Sequence, residues 1–273
     1  MSSKQENLPG VVPELYVVGA GPGDPELLTL KAHRVLQTAA VILYDNLANQ
    51  ELLALAPAGC ECLYVGKKPY GDYTPQETIH ELILEKARSR GRVIRLKGGD
   101  PFIFGRGFEE ILFARAHGIA THYIPGISSM QALGFEDIPL THRIVSEGVW
   151  MVTGTKKDGS LSVDLRLAMQ SNSTVVIYMG LKKAAEIAAA YCEMGKGDTP
   201  AAVVQHLTLP QRKLAVGPVR TLPALVASQQ ITYPALIVIG AVVALGHEIP
   251  TGALSQRLGY QSLSIGGQWE LQG

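Results

Sequence analysis

Residues 93–116 read VIRLKGGDPFIFGRGFEEILFARA, and this stretch decides the fold. Val93 to Leu96 is a short aliphatic run that predicts a strand, the GGDP at 98–101 stops it, and Gly107 to Ala116 carries apolar residues at helical spacing. A strand, a glycine turn and a helix in that order make half of a βαβ unit, the repeating piece of a parallel sheet. Outward from it, the spacing predicts strands at Leu15 to Gly19, Val41 to Tyr44, Cys62 to Val65 and Thr121 to Ile124. Helices are predicted at Glu26 to Gln37, Glu51 to Ala56 and Pro75 to Arg88, the last opening on Thr74, Pro75 and Glu77 as a capping signature.

The segment IPLTHRIVS (138–146) interrupts this alternation. Beyond it, strands are predicted at Val149 to Val152, Thr174 to Tyr178, Ala201 to Gln205, Arg212 to Val216 and Ala235 to Ile239, with helices near Leu161 to Gln170, Lys182 to Glu193 and Leu222 to Ser228. The runs at 201–205 and 212–216 are close enough for a hairpin, which predicts a mixed second sheet. The expected architecture is α/β in two lobes: an N-terminal α/β domain at 15–143 with a mostly parallel sheet, and a C-terminal α/β domain at 144–246. Residues 1–14 and 247–273 read as tails, the latter rich in Gly, Ser and Gln.

A chain of 273 residues, 47% hydrophobic, is long enough for two such cores. Lys plus Arg equals Asp plus Glu at 24 each, so no global field favours nucleic acid or an anionic membrane, and any anionic ligand must be met by local cations. Three irregularly spaced cysteines fit neither a disulfide framework nor a closed zinc site, which argues for a reducing cytoplasm and no metal. The longest apolar run, Ala235 to Gly246, is short of a membrane span.

The first strand runs into GAGPGDPELLTLKA (19–32), a glycine turn of the sort that brings a ligand against backbone. As a dinucleotide fingerprint it fails, because the third glycine of GxGxxG falls on Asp24 and Pro22 removes a backbone donor. Asp24 is expected either to cap the following helix or to face a ligand. In the central motif, Gly98, Gly99 and Asp100 stand at the carboxyl end of a strand, the usual crevice position of an open α/β sheet. Paired glycines admit a flat ligand, Asp100 can accept from a ribose or amino group, and Pro101 fixes the turn. Arg106 and Glu109, three apart at a helix start, are expected either to serve a ligand or to form a surface pair.

These blocks occur in a fixed order: VVGAGPGDPELLTLKA (17–32), VILYDNL (41–47), VGKK (65–68), RLKGGDPFIFGRG (95–107), YIPGISS (123–129), DIPLTHR (137–143), YMG (178–180) and PALIVIGAVV (234–243). With them the chain resembles the uroporphyrinogen-III C-methyltransferases of the tetrapyrrole methylase superfamily, over about residues 15–245. The resemblance implies a two-lobed homodimer with the active site in the cleft between its lobes, S-adenosylmethionine as cofactor and S-adenosylhomocysteine as its product. It implies two methylations of uroporphyrinogen III, by way of precorrin-1 to precorrin-2, for sirohaem, cobalamin or haem d1 synthesis.

On matching positions, cofactor contacts are implied at Pro22, Gly98, Gly99, Asp100, Ile103, Ser128, Ser129 and Met179, with Leu207 and Ala235 in looser surroundings. S-adenosylmethionine has no phosphate, so Pro22 and Asp24 are no handicap, and Ile103 and Met179 suit adenine and thioether. The tetrapyrrole's carboxylates need cations, for which Arg106, His142 and Arg143, with Lys67 and Lys68, are the candidates. By resemblance Asp45 is the proton acceptor and Lys67 the donor, with Arg106 and Glu109 completing the catalytic set. Asp45 could equally cap the next helix. The sequence departs from the family in Lys68 (often Arg), Ser128 and Ser129 (Thr and Ala) and Ile144 (Asp). Other readings are a methylase of a later corrin intermediate, a dinucleotide-dependent oxidoreductase, which Asp24 disfavours, and a binding protein without turnover.

Overall fold

The computed structural model describes residues 10–66, 74–156, 158–247 and 249. They form two compact units. One takes the described residues up to Glu136 together with Val204–Lys213 and Tyr233–Leu236. The other takes Asp137–Val203, Leu214–Thr232 and the described residues from Ile237 onward. The chain thus enters the second unit at Asp137 rather than after Arg143. Asp137 already belongs there because its carbonyl and Cβ lie against Gly246, so closely that a side chain on Gly246 would fall 2.4 Å from the carbonyl oxygen.

The first unit is built on strands β1 (Glu14–Gly19), β2 (Val41–Tyr44), β3 (Glu61–Tyr64), β4 (Arg92–Lys97) and β5 (Ala120–Ile124) in the spatial order β3-β2-β4-β1-β5. Every pairing is parallel, which is stricter than the mostly parallel sheet expected. Its helices are α1 (Leu30–Leu36), α2 (Gln76–Arg90) and α3 (Gly107–Ala116). Alternate strand residues supply two cores. Leu15, Val17, Val41, Leu43 and Val93 pack under Ile79, Ile83 and Ala87 of α2 and Ile111 and Ala114 of α3. Val18, Ile42, Ile94 and Leu96 pack on the other face against Ala32, Leu36 and Leu52. Helices on both faces are what a parallel sheet requires.

Because β4 lies between β1 and β2, the chain reverses its direction of winding at β1/β4, and ligands of such sheets bind outside the carboxyl ends of the strands at that point. The helix expected at 26–37 is broken. Asp24 caps a single 3₁₀ turn at Pro25–Leu27, Leu28 and Thr29 are extended, and the Thr29 hydroxyl caps α1 through the Ala32 N–H at 3.2 Å. Thr29 thus restarts the helix. Residues Gln50–Leu55 are 3₁₀ rather than α, capped by Asn49. The capping signature at Thr74 does not form: Pro75 is the N-cap of α2, and the Thr74 hydroxyl instead donates to the Gly66 carbonyl.

The second sheet holds β6 (Val149–Thr153), β7 (Thr174–Tyr178), β8 (Pro200–Gln205), β9 (Lys213–Pro218) and β10 (Ala235–Ile239) in the order β6-β7-β10-β8-β9. β6 runs parallel to β7 and β10 antiparallel to it, so the sheet is mixed. Its helices are α4 (Val163–Gln170), α5 (Ala184–Glu193), α6 (Leu222–Ser228) and the short α7 (Val243–Gly246). No helix among the described residues is long and apolar enough to cross a membrane.

Candidate active site

At the carboxyl end of the first sheet, backbone from three turns meets with almost no side chain between. Gly21 and Gly99 exchange hydrogen bonds, Gly99 N–H to Gly21 O at 2.7 Å and Gly21 N–H to Gly99 O at 3.3 Å. Gly126, after β5, closes the third side. A Cβ on Gly126 would fall 2.2 Å from the Gly99 oxygen, and one on Gly19 would fall 2.4 Å from the Gly126 nitrogen. Only glycine permits this approach. Gly98 is equally confined, against Leu47, whereas for Gly99, at φ +65°, the nearest atom to its missing Cβ among the described residues, its chain neighbours aside, is the Ser129 nitrogen at 3.8 Å. Above Gly99 the turn therefore offers open, bare backbone, a cradle that a ligand atom could fill. Gly23 and Asp24 pack on the segment carrying Leu207, with the Asp24 N–H donating to the Thr208 hydroxyl at 3.0 Å.

Asp100 ties these turns together. It is 7% exposed; its Oδ1 accepts from the Phe102 N–H at 2.8 Å, and its Oδ2 accepts both the Tyr123 hydroxyl at 2.6 Å and the Gly126 N–H at 3.1 Å. The expected ribose acceptor thus spends most of its capacity on protein. Burial, followed by the bond to Asp100, pushes the Tyr123 hydroxyl well above the usual phenol range. The Tyr123 ring also stacks on Phe102 at 3.9 Å. Past it, Phe104 (φ +52°) and Arg106 (φ +58°) are left-handed, strain of a kind that concentrates at functional loops. The Arg106 guanidinium grips Glu109 through Nε and Nη2, at 3.0 and 2.6 Å to Oε2, and both side chains are about half exposed. Arg106, through its hydrogen bond first, holds the Glu109 carboxyl below the ordinary range.

Asp45 follows β2. Its Oδ1 accepts from the Leu47 N–H at 3.1 Å and its Oδ2 from Arg95 Nη2 at 3.0 Å, while Asn49 caps the next helix in its place. Arg95 opens a buried network that the sequence reading missed. Its Nε donates to Glu110 Oε1 at 3.1 Å, and that oxygen also faces Lys97 Nζ at 3.4 Å and Gln76 Nε2 at 3.2 Å. Burial opposes the Arg95 charge, but Glu110 and Asp45 outweigh it and hold the guanidinium above its usual range. Lys97 is lowered, by burial and then by Arg95, against the pull of Glu110. The overlooked signal was two cations at alternate positions of a strand that a parallel sheet must bury on both faces.

The remaining expected residues divide between the units. Pro22 and Ile103 are half-buried in the first, where Ser128 is buried and its N–H donates to Gln131 Oε1 at 2.8 Å. Ser129 lies beside Gly99, Leu207 is buried, and Ala235 is half-buried. Met179, His142 and Arg143 belong to the second unit. Met179 is exposed and left-handed at φ +54°, its carbonyl accepting the Thr155 hydroxyl at 3.0 Å. The His142 Nδ1 faces the Ile144 N–H at 3.3 Å, turning the ring toward its own tight turn, and Arg143 is exposed. Lys67 and Lys68 lie outside the described residues.

The open glycine backbone at Gly99, with Ser128 and Ser129 beside it, is a place where a ligand can lie against main chain. Comparison with known proteins agrees. A siroheme synthase of Chromobacterium violaceum is 46% identical over 237 residues, 86% of this chain and 50% of that protein; one of Thiobacillus denitrificans is 42% identical over 238 residues, with 86% and 50% covered. The chain therefore spans about half the length of these curated relatives. The crystal structure of a uroporphyrin-III C-methyltransferase from Thermus thermophilus complexed with S-adenosylhomocysteine superposes with a TM-score of 0.73 at 40% identity, covering 85% of this chain and 99% of that one. A cobalt precorrin-4 methyltransferase superposes with a TM-score of 0.75 at 27% identity, covering 84% and 95%. Residues 14–223 match the family Tetrapyrrole (Corrin/Porphyrin) Methylases, and with the glycine floor and its sheet in place, the chain belongs to that family.

Proposed function

We propose that this chain is a uroporphyrinogen-III C-methyltransferase that methylates two carbons of its substrate, giving precorrin-2 by way of precorrin-1. The observation that carries the reading is the open backbone above Gly99, rimmed by Gly98, Ser128 and Ser129 and locked from behind by Asp100. When bound, S-adenosylmethionine supplies an electrophilic methyl group on its sulfonium and leaves as the thioether of S-adenosylhomocysteine. The chain's own task is alignment. In-line transfer gains most from holding the reacting atoms in register, and a floor of glycines braced by the buried Asp100 is rigid enough to do so.

Pro22, Ile103, Leu207, Ala235 and Met179 are assigned to the apolar parts of the cofactor. Arg106, His142 and Arg143 are assigned to the substrate's carboxylates, Arg106 with Glu109 as the partner it must share or release. Carbon methylation leaves the macrocycle with a proton to lose, and Asp45, at the end of β2 with Oδ1 and Oδ2 each accepting one bond, is assigned as acceptor. A homodimer working in the cytoplasm is part of the same reading. The test is incubation with uroporphyrinogen III and methyl-labelled S-adenosylmethionine under reducing conditions. Two labelled methyl groups per tetrapyrrole are expected; no label in the tetrapyrrole would sink the proposal.

A further inference from the structure

Four ionisable side chains, Asp45, Arg95, Lys97 and Glu110, meet at one end of the all-parallel sheet, and the side chains of Arg95 and Glu110 are only 3% and 0% exposed. Stability does not account for them. Taking charged groups out of water is costly, and well-packed apolar residues of similar volume hold such a site as well or better. Val93, Arg95 and Lys97 share one face of β4, where the neighbouring strand β2 presents Val41 and Leu43.

The bonding shows what the cations do instead. Every edge of the Arg95 fork is committed: Nε to Glu110, Nη1 to the carbonyls of Leu96 at 3.0 Å and Leu43 at 3.3 Å, and Nη2 to Asp45. A guanidinium held on three sides by buried groups presents its fourth contact at a fixed place. That contact is Asp45, whose side chain at 19% exposure is the most open of the four. Glu110 Oε1 receives Arg95, Lys97 and Gln76, while its Oε2 has no hydrogen-bond partner among the described residues. Glu110 thus balances the two cations. Without it, Arg95 and Lys97 would face a single carboxylate and draw Asp45 inward, away from the strand end.

We propose that Arg95 and Glu110 are positioning residues for the proton acceptor, with Glu110 fixing the Arg95 guanidinium and Arg95 fixing the Asp45 carboxylate. This rests on the assignment of Asp45 as acceptor, and a double-mutant cycle tells a failure of that assignment from a failure of the positioning role. Asp45→Asn, Glu110→Gln and the double variant are compared with the parent for kcat and KM with uroporphyrinogen III, and for the Kd of S-adenosylhomocysteine by calorimetry. Glu110→Gln is expected to lower kcat about tenfold with KM and Kd within about twofold, and to lower it no further in the Asp45→Asn background. A fall smaller than about threefold, or an equal fall in both backgrounds, overturns the positioning role while leaving Asp45 as acceptor. If Asp45→Asn itself retains the parent kcat, the acceptor assignment fails and takes this proposal with it. Should Glu110→Gln not fold, Arg95→Lys, which keeps the charge but cannot span both carboxylates, is judged in the same cycle by the same criteria.

Discussion

Gly126 sits where a single methyl group has nowhere to go. The Gly99 oxygen and the Gly19 Cα lie 2.2 and 2.8 Å from where its Cβ would stand, and both belong to backbone held by the sheet. Gly126→Ala is therefore expected to cost about 3 kcal/mol or more, the upper end of overpacking, and to weaken S-adenosylhomocysteine binding by separating the turns. Gly134 is the control: it is exposed, nothing lies within 4 Å of its missing Cβ, and Gly134→Ala should stay within about 1 kcal/mol of the parent. Urea titrations of the two variants decide it; equal stabilities would mean that the turns can separate freely. The sequence made this site visible as glycines at strand ends, and Asp24 as a cap was legible from its place before PEL. Asp100 was placed correctly in the turn, but its partners Tyr123 and Gly126 lie 23 and 26 residues on, beyond the reach of local pattern. Arg95 and Glu110 escaped notice because charge in a sequence normally marks surface; the parallel sheet forces Arg95 inside, and α3 carries Glu110 onto it.

Elements were legible to within a residue or two wherever one periodicity ran unbroken, as in β2, β7, β10, α3 and α6. They were misjudged where a side chain cut the pattern, as Thr29 does before α1. The end of α4 shows a support that no window of sequence contains. Lys196, which follows α5, places its Nζ 2.9 Å from the carbonyls of Met169, Gln170 and Ser171, satisfying the helix's last acceptors and meeting the negative end of its dipole. Neither neighbour of Lys196 in sequence hints at a helix 26 residues back. Lys196→Met keeps the stem and removes the three donors, so the variant is expected to lose about 1–2 kcal/mol, since carbonyls at a helix end regain water in part. A denaturation midpoint equal to the parent's would show that the cap contributes nothing.

Across the whole molecule, 24 cations offset 24 anions, so no large self-repulsion sets how stability varies with pH, and a few displaced groups can. His80 of α2 is one. Its ring stacks on Phe113 of α3 at 4.2 Å, and its Nε2 lies 3.2 Å from Gln76 Nε2. Burial lowers its titration below the ordinary 6.5, Arg106 adds to this, and Glu110, Glu77 and Glu109 only partly oppose it. Between that lowered value and 6.5 the unfolded chain binds a proton that the folded chain does not, so stability rises with pH across this window. The contribution is complete above 6.5 and is lost as pH falls through the folded value. Lys97 has the same sign and acts below 10.5, and the Arg106-stabilised Glu109 carboxylate acts below 4.5. His80→Phe keeps a ring on Phe113 and removes the titration. The parent's urea midpoint should therefore fall from about pH 7 to about pH 5, and the variant's should fall less. Parallel falls in the two proteins would assign the acid sensitivity to other groups.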